Sequence, residues 1–232
     1  MSLEVSIKKR LGSFVLSSEF TLEEGVFALL GPSGSGKSLT LKCIAGIEKP
    51  DNGRIVLDGR VLFDSRERIN LPPQKRHVGY MFQDYALFPT MTVKENIMAG
   101  MRGDGIKDRV SAYIKRFRLE GHEGSLPAQL SGGQKQRVAM ARMLAAEPEL
   151  ILMDEPFSAL DNELKWELEN ETEEVFRESG KKVIFVSHDR VEAYRLCGSF
   201  AGIHEGTVGA VHPIKDLEED IRKNISLMEG LL

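Results

Sequence analysis

The octapeptide Gly31-Pro32-Ser33-Gly34-Ser35-Gly36-Lys37-Ser38 constrains this chain more than any other stretch. It fits the spacing G-x-x-x-x-G-K-[ST], and its flanks fit as well. The run Val26–Leu30 before it is continuously apolar, as in a strand buried on both faces. From Ser38 to about Ala45 the sequence reads as a helix, stopped by Gly46. The glycines let the backbone curl so that successive N–H groups point at one anion. The helix start adds its own N–H groups and the positive end of its dipole. Lys37 can reach the outer phosphates of a bound polyphosphate, and the Ser38 hydroxyl can ligate Mg²⁺. Leu39, next in the helix, is counted with the loop. A plain glycine-rich turn is the alternative, and the strand–turn–helix context argues against it.

A second apolar run, Leu150-Ile151-Leu152-Met153, ends in Asp154-Glu155. A carboxylate at the carboxyl end of a buried strand, beside a phosphate loop, is placed to hold Mg²⁺ through its water shell; that is Asp154. Glu155 is then the group to orient or deprotonate an attacking water. Alone, Asp-Glu-Pro is ordinary turn chemistry; paired with the loop it reads as a site.

The rest of the chain supplies a frame. Short apolar pieces, Val5–Ile7, Phe14–Leu16 and Phe20–Leu22, make the first third β-rich. Arg54–Leu57 and Arg60–Phe63 flank Asp58-Gly59, a two-residue hairpin signal. Residues 64–76 are charged, contain Pro72-Pro73 and read as loop. Val110, Ile114 and Phe117 recur at helical spacing, and residues 134–146 are rich in helix formers. Residues 163–178 predict an acidic helix with Leu164, Leu168 and Val175 on one face. Val183–Val186 predicts another buried strand, with a short helix from about Arg190. Apolar strands alternating with helices imply an α/β fold with a parallel sheet covered on both faces.

With 232 residues and a net charge of -4, nothing global points to nucleic acid. The basic positions between Arg102 and Arg118 are interleaved with acids and read as a solvated helix face. The two cysteines, Cys43 and Cys197, have no metal-ligand spacing, and a reducing cytosol is expected. No secretion signal is read in the first ten residues, and no apolar run approaches the ~20 residues of a membrane span. Any work at a membrane is expected to go through a partner.

Further motifs follow in a fixed order. Leu130-Ser131-Gly132-Gly133-Gln134 precedes Lys135-Gln136-Arg137-Val138-Ala139. Gln83 lies in Tyr80-Met81-Phe82-Gln83-Asp84, Asp161 in Ser158-Ala159-Leu160-Asp161, and His188 in Val186-Ser187-His188-Asp189. With the phosphate loop and the acidic strand end, this set resembles that of the ATP-binding-cassette (ABC) ATPases, from about Leu3 to Val211. The resemblance implies a P-loop NTPase core with a mainly parallel sheet flanked by helices. An N-terminal antiparallel β subdomain and an inserted helical subdomain complete it. Residues 1–83 and 147–232 form the core with the β subdomain, and residues 84–146 the helical subdomain carrying the signature motif. Implied cofactors are ATP and Mg²⁺. Ser38, Gln83 and Asp154 are the implied metal-side residues, and Glu155, His188, Gln83 and Lys37 the catalytic ones. Ser131, Gly132, Gly133 and Gln134 read as a second anion nest at a helix start. The family architecture puts that nest, with Asp161, on the nucleotide of a second copy in a head-to-tail homodimer.

Family members place an aromatic before the first long strand to stack on adenine. Here Arg10, Leu11 and Gly12 occupy that region, and Phe14 is the nearest ring. The stretch from Leu71 to Ile97 resembles importer cassettes, and residues 53–64 with 9–12 look most like those of molybdate importers. The resemblance therefore implies integral membrane permease subunits as partners at the cytoplasmic face of the membrane, and indirectly a solute-binding protein. Sulfate, iron and polyamine importers are the alternatives, and so is a non-transport cassette. Tyr85, Leu87 and Phe88 are the expected apolar anchors for a permease helix. A small-molecule kinase would explain the phosphate loop but not the second nest.

Overall fold

The computed structural model describes residues 2–158, 160 and 162–218. Its strands are β1 Leu3–Leu11, β2 Phe14–Leu22, β3 Val26–Leu30, β4 Asn52–Leu57, β5 Arg60–Asp64 and β6 Ile69–Asn70. They continue with β7 Val78–Met81, β8 Leu150–Asp154, β9 Lys182–Ser187, β10 Ser199–His204, β11 Thr207–Val208 and β12 His212–Pro213. The helices are α1 Lys37–Ala45, α2 Val93–Met98, α3 Ile106–Arg116, α4 Gly132–Ala145, α5 Asn162–Ser179 and α6 Arg190–Leu196. The chain forms two compact units, one from residues 1–76 and 172–232, the other from His77 to Glu171. The division expected from the motifs, at 83/84 and 146/147, would have grouped β7 and β8 with the first unit instead.

In the first unit the strand order is β6-β5-β4-β1-β2-β11-β10-β3-β9, with β12 beside β10. β3 pairs in parallel with β9 (Val26↔Val183) on one side and β10 (Ser199↔Phe27) on the other. Phe27 to Leu29 and Val183 to Val186 are all fully buried, the burial that continuous apolar runs require. β1 and β2 are antiparallel from Leu3↔Leu22 to Leu11↔Phe14. Leu3, Val5 and Ile7 point inward and Glu4, Ser6 and Lys8 outward, the period-2 pattern of a half-buried strand.

Phe14–Leu16 and Phe20–Leu22 belong to one strand rather than two pieces. The polar stretch between them hides the continuity: Ser18 is buried, and its hydroxyl pairs with the Thr40 hydroxyl of α1 at 2.9 Å. The hairpin forms as expected, with Asp58 and Gly59 at φ 50° and 79°. Residues 64–76 are not all loop, because β6 pairs with β5 and residues 73–75 form a 3-10 turn. That segment ends in Arg76, which is completely buried. Its guanidinium donates to the carbonyls of Leu71, Cys43 and Ile44 and to Asn70 Oδ1. Two of those carbonyls are the open end of α1, so the cation also sits at the negative end of that helix. Burial pulls its pKa down to about 10, so it stays charged.

In the second unit β7 and β8 are parallel, from Val78↔Leu150 to Met81↔Met153. Helices α2, α3 and α4 accompany them, and Val110, Ile114 and Phe117 are buried as the spacing predicts. α2 starts with a reciprocal cap: Thr92 Oγ1 accepts from Glu95 N–H, and the Glu95 carboxylate accepts from Thr92 N–H. Arg137 of α4 is held by Glu167 and Glu171 of α5 at 2.8 and 2.9 Å. Among the described residues no helix is long and apolar enough to cross a membrane.

Candidate functional site

The phosphate loop is shaped by backbone conformations that only glycine adopts freely. Gly34 and Gly36 have φ of 80° and 107°. A Cβ on Gly31 would lie 2.3 Å from the Ile203 carbonyl oxygen, and one on Gly36 2.8 Å from Leu16 Cδ1. The Lys37 ammonium folds back onto the loop, donating to Gly31 O at 2.8 Å and Pro32 O at 3.0 Å. No side chain caps the N-terminus of α1, and no acidic residue lies in its first turn. Ser35 Oγ is buried without a hydrogen-bond partner. A buried lysine, an uncapped helix start and an orphaned hydroxyl fit an anion with several oxygens. Phe14 lies over the loop: a Cβ on Gly36 would be 3.1 Å from its Cζ. Leu11, its β1 register partner, is 49% exposed.

His188 follows β9 directly. Because Leu30 pairs with Ser187, Gly31 and His188 leave neighbouring strands at the same level. They share a cleft of about 260 Å³ whose lining includes Pro32 and Arg190. The next residue, Asp189, caps α6 by accepting from Val191 N–H.

The second unit carries the carboxylates. Asp154 ends β8 and is 6% exposed. The Tyr80 hydroxyl, from β7, donates to Asp154 Oδ2 at 2.9 Å. Burial, and then the Asp154 charge, push the Tyr80 phenol well above its ordinary pKa, so it remains a donor. Glu155 takes a left-handed turn conformation, φ 48°. The Ser158 hydroxyl donates to the Glu155 carbonyl at 2.9 Å and accepts from Gln83 Nε2 at 3.1 Å. The structure thus joins Gln83 to the turn that carries Glu155, and Asp154 to β7. Ser158 appeared in the sequence only as part of a motif, and Tyr80 was not singled out. Period-2 alternation on β7 and β8 was the available signal for Tyr80, but it becomes usable only once their register is known.

The second glycine motif is built differently from the first. Ser131 is the N-cap of α4: its hydroxyl accepts from Gln134 N–H, and Gln134 Oε1 accepts from Ser131 N–H. Gly132 and Gly133 lie in the helix, where a Cβ would meet Leu160 at 3.4 Å and Leu164 at 3.0 Å. Ser131 and Gly132 are exposed. Asp161 and Ala159 lie outside the described residues.

The expected anchor cluster needs one correction. Tyr85 is buried, with its hydroxyl directed at the Pro156 carbonyl. Its ring belongs to the unit's interior because the chain turns there in a left-handed conformation, φ 63°. Phe88 is 45% exposed, with the Arg142 guanidinium 5.1 Å over its ring. Arg142 also donates to the carbonyls of Tyr85 and Ala86, fixing this surface turn.

The described residues contain no group of three or more His, Cys, Asp or Glu suited to a metal. The residues expected on the metal side, Ser38 in the first unit and Gln83 and Asp154 in the second, each offer an oxygen donor, the chemistry Mg²⁺ takes alongside phosphate and water.

Comparison with known proteins gives a consistent result. The family model described as ABC transporter matches residues 16–158. A molybdenum import ATP-binding protein of Paramagnetospirillum magneticum is 41% identical over 221 residues, 94% of this chain and 61% of that protein. The chain therefore spans about three fifths of that relative's length. A probable sulfate/thiosulfate import ATP-binding protein of Chlorella vulgaris is 40% identical over 222 residues, 92% of each. A solved ATP-binding cassette, a dimer in a post-hydrolysis state bound to ADP and Pi, superposes with a TM-score of 0.74 at 30% identity. The match covers 92% of this chain and 99% of that one.

Proposed function

The chain belongs to the ABC transporter family, and on that premise we propose that it is the ATP-binding and ATP-hydrolysing subunit of an importer. The observation that carries this reading is the phosphate loop. It has two glycines at positive φ, a buried Lys37 folded over it and a helix start with no side-chain cap.

Residues 31–39 grip the triphosphate through backbone N–H groups and the Lys37 ammonium. Ser38, Gln83 and Asp154 would hold Mg²⁺, which would neutralise charge on the phosphate oxygens. Glu155 takes the proton of the attacking water, while Gln83 and His188 orient the reacting groups. Ser131, Gly132, Gly133 and Gln134 contact the nucleotide of a second copy, with Asp161 beside it. ATP thereby closes a head-to-tail homodimer, a ligand binding one state far better than the other. Closure moves the helical segment 84–146 and the permease subunits docked on it, at the cytoplasmic face of the membrane. Phe88 and Leu87 are the docking anchors.

For the solute we favour molybdate or a related oxyanion. Molybdenum import ATP-binding proteins recur among the similar relatives at 38–41% identity, beside sulfate/thiosulfate, spermidine/putrescine and iron import proteins at 38–45%, so the choice of molybdate leans on the likeness of residues 53–64 and 9–12. A solute-binding protein would deliver it. Uptake of labelled molybdate and sulfate in cells lacking this chain tests the solute. Loss of neither uptake would turn the reading to another cargo. Mutation of Ser131 tests the cassette against the kinase alternative: the cassette loses hydrolysis, whereas a kinase keeps turnover.

A further inference from the structure

Tyr80 sits opposite Leu152 in the parallel pairing of β7 with β8. Asp154 lies two residues further along β8, on the same face as Leu152, about 6.6 Å away along the strand. A tyrosine lying along the sheet spans that distance, and its hydroxyl reaches Asp154 Oδ2 at 2.9 Å. Its ring rests on Phe82, with centroids 4.3 Å apart, so the phenol is held on its flank as well as at its tip. Phe82 in turn immediately precedes Gln83, whose side chain joins the Glu155 turn through Ser158. A phenylalanine would fill the same space on the strand; only the hydroxyl reaches the carboxylate.

We infer that Tyr80 is a positioning residue that fixes the rotamer of Asp154 and so sets how tightly the ATP-loaded chain holds a divalent cation. The inference rests on the reading of Asp154 as the cation-side carboxylate. A carboxylate that accepts from an oriented donor on one oxygen presents the other in a fixed direction. Removing the outer partner of a directly ligating group typically costs 10–100-fold in metal affinity, and with Asp154 acting through a bound water the loss expected here lies at the low end of that range.

The test measures Mn²⁺ binding to the full chain with ATP by electron paramagnetic resonance. Tyr80→Phe and Asp154→Asn are compared with wild type, alongside ATP binding in EDTA and thermal unfolding. We expect Tyr80→Phe to weaken Mn²⁺ binding about tenfold. ATP binding in EDTA and the unfolding midpoint should stay close to wild type. Wild-type Mn²⁺ affinity in Tyr80→Phe, with a large loss in Asp154→Asn, would overturn the positioning role and leave the parent reading intact. Unchanged affinity in Asp154→Asn would overturn both. Unfolding of Tyr80→Phe, or equal losses with and without metal, would reduce Tyr80 to a structural residue and overturn the inference.

Discussion

Two helix starts, α1 and α4, both carry glycine-rich sequence, before the first turn in α1 and inside it in α4, yet they solve the same electrostatic problem in opposite ways. Every helix begins with backbone N–H groups that have no partner within the helix. At α4 the protein supplies its own partners, Ser131 and Gln134, in a closed reciprocal cap. At α1 no side chain caps the start, two preceding glycines adopt positive φ, and a buried lysine folds over the loop. At its far end α1 is anchored by Arg76 on the carbonyls of Cys43 and Ile44. The difference teaches that a glycine pair at a helix start does not by itself make an anion cradle. In α1 the glycines shape the backbone; in α4 they permit close packing on Leu160 and Leu164 and leave an exposed helix tip. Under the proposed function the first motif grips the anion by itself, and the second meets an anion that a second copy brings already bound.

The largest expected effect breaks the α1 side alone. Lys37→Ala should weaken ATP binding on the order of a hundredfold, the size of losing a buried charge-assisted interaction. Isothermal titration of the monomer reads it. A matching loss in Ser131→Ala would erase the distinction between the two starts. Next comes the glycine pair. Gly36→Ala should destabilise the fold by about 1–3 kcal/mol through backbone strain, with the contact to Leu16 added. Gly132→Ala, in helical backbone, should keep or slightly raise the denaturation midpoint. It should nonetheless lose ATP-driven association. Ser131→Ala removes one cap and should cost about 1 kcal/mol in denaturant unfolding, with ATP affinity of the monomer unchanged.

The smallest effect sharpens the comparison with acid. The box at α2 uses Glu95, whose pKa is lowered chiefly by the Thr92 N–H bond, whereas α4 uses the neutral Gln134. A depressed carboxylate stabilises above its unfolded pKa of about 4.3 and stops doing so as pH falls through its lower folded value. Acidification below about pH 4 should therefore raise hydrogen exchange at α2 before α4, after correction for intrinsic rates.

Much of this was legible in the residues, and the gaps have physical causes. The buried strands β3, β8 and β9 and the Asp58-Gly59 hairpin follow from composition and turn chemistry alone. The continuity of β2 does not, because Ser18 is tolerated inside only through Thr40, a partner 22 positions away. α2 was missed although Thr92 and Glu95 carry a capping-box signal. Tyr85 read as a surface anchor because hydrophobicity cannot tell an interface from a core; its turn conformation decides. For the candidate site, the motifs identified Asp154, Glu155 and Gln83 individually. Their linkage through Tyr80 and Ser158 depends on strand register and turn geometry, which no short motif encodes.

The central claim is that ATP joins two copies, one contributing the α1 cradle and the other the capped tip of α4. Sedimentation velocity on Glu155→Gln, which should bind MgATP without hydrolysing it, tests this most directly. The account predicts a shift from monomer to dimer at saturating MgATP, abolished by adding Gly132→Ala. A chain that binds MgATP fully and still sediments as a monomer would contradict it.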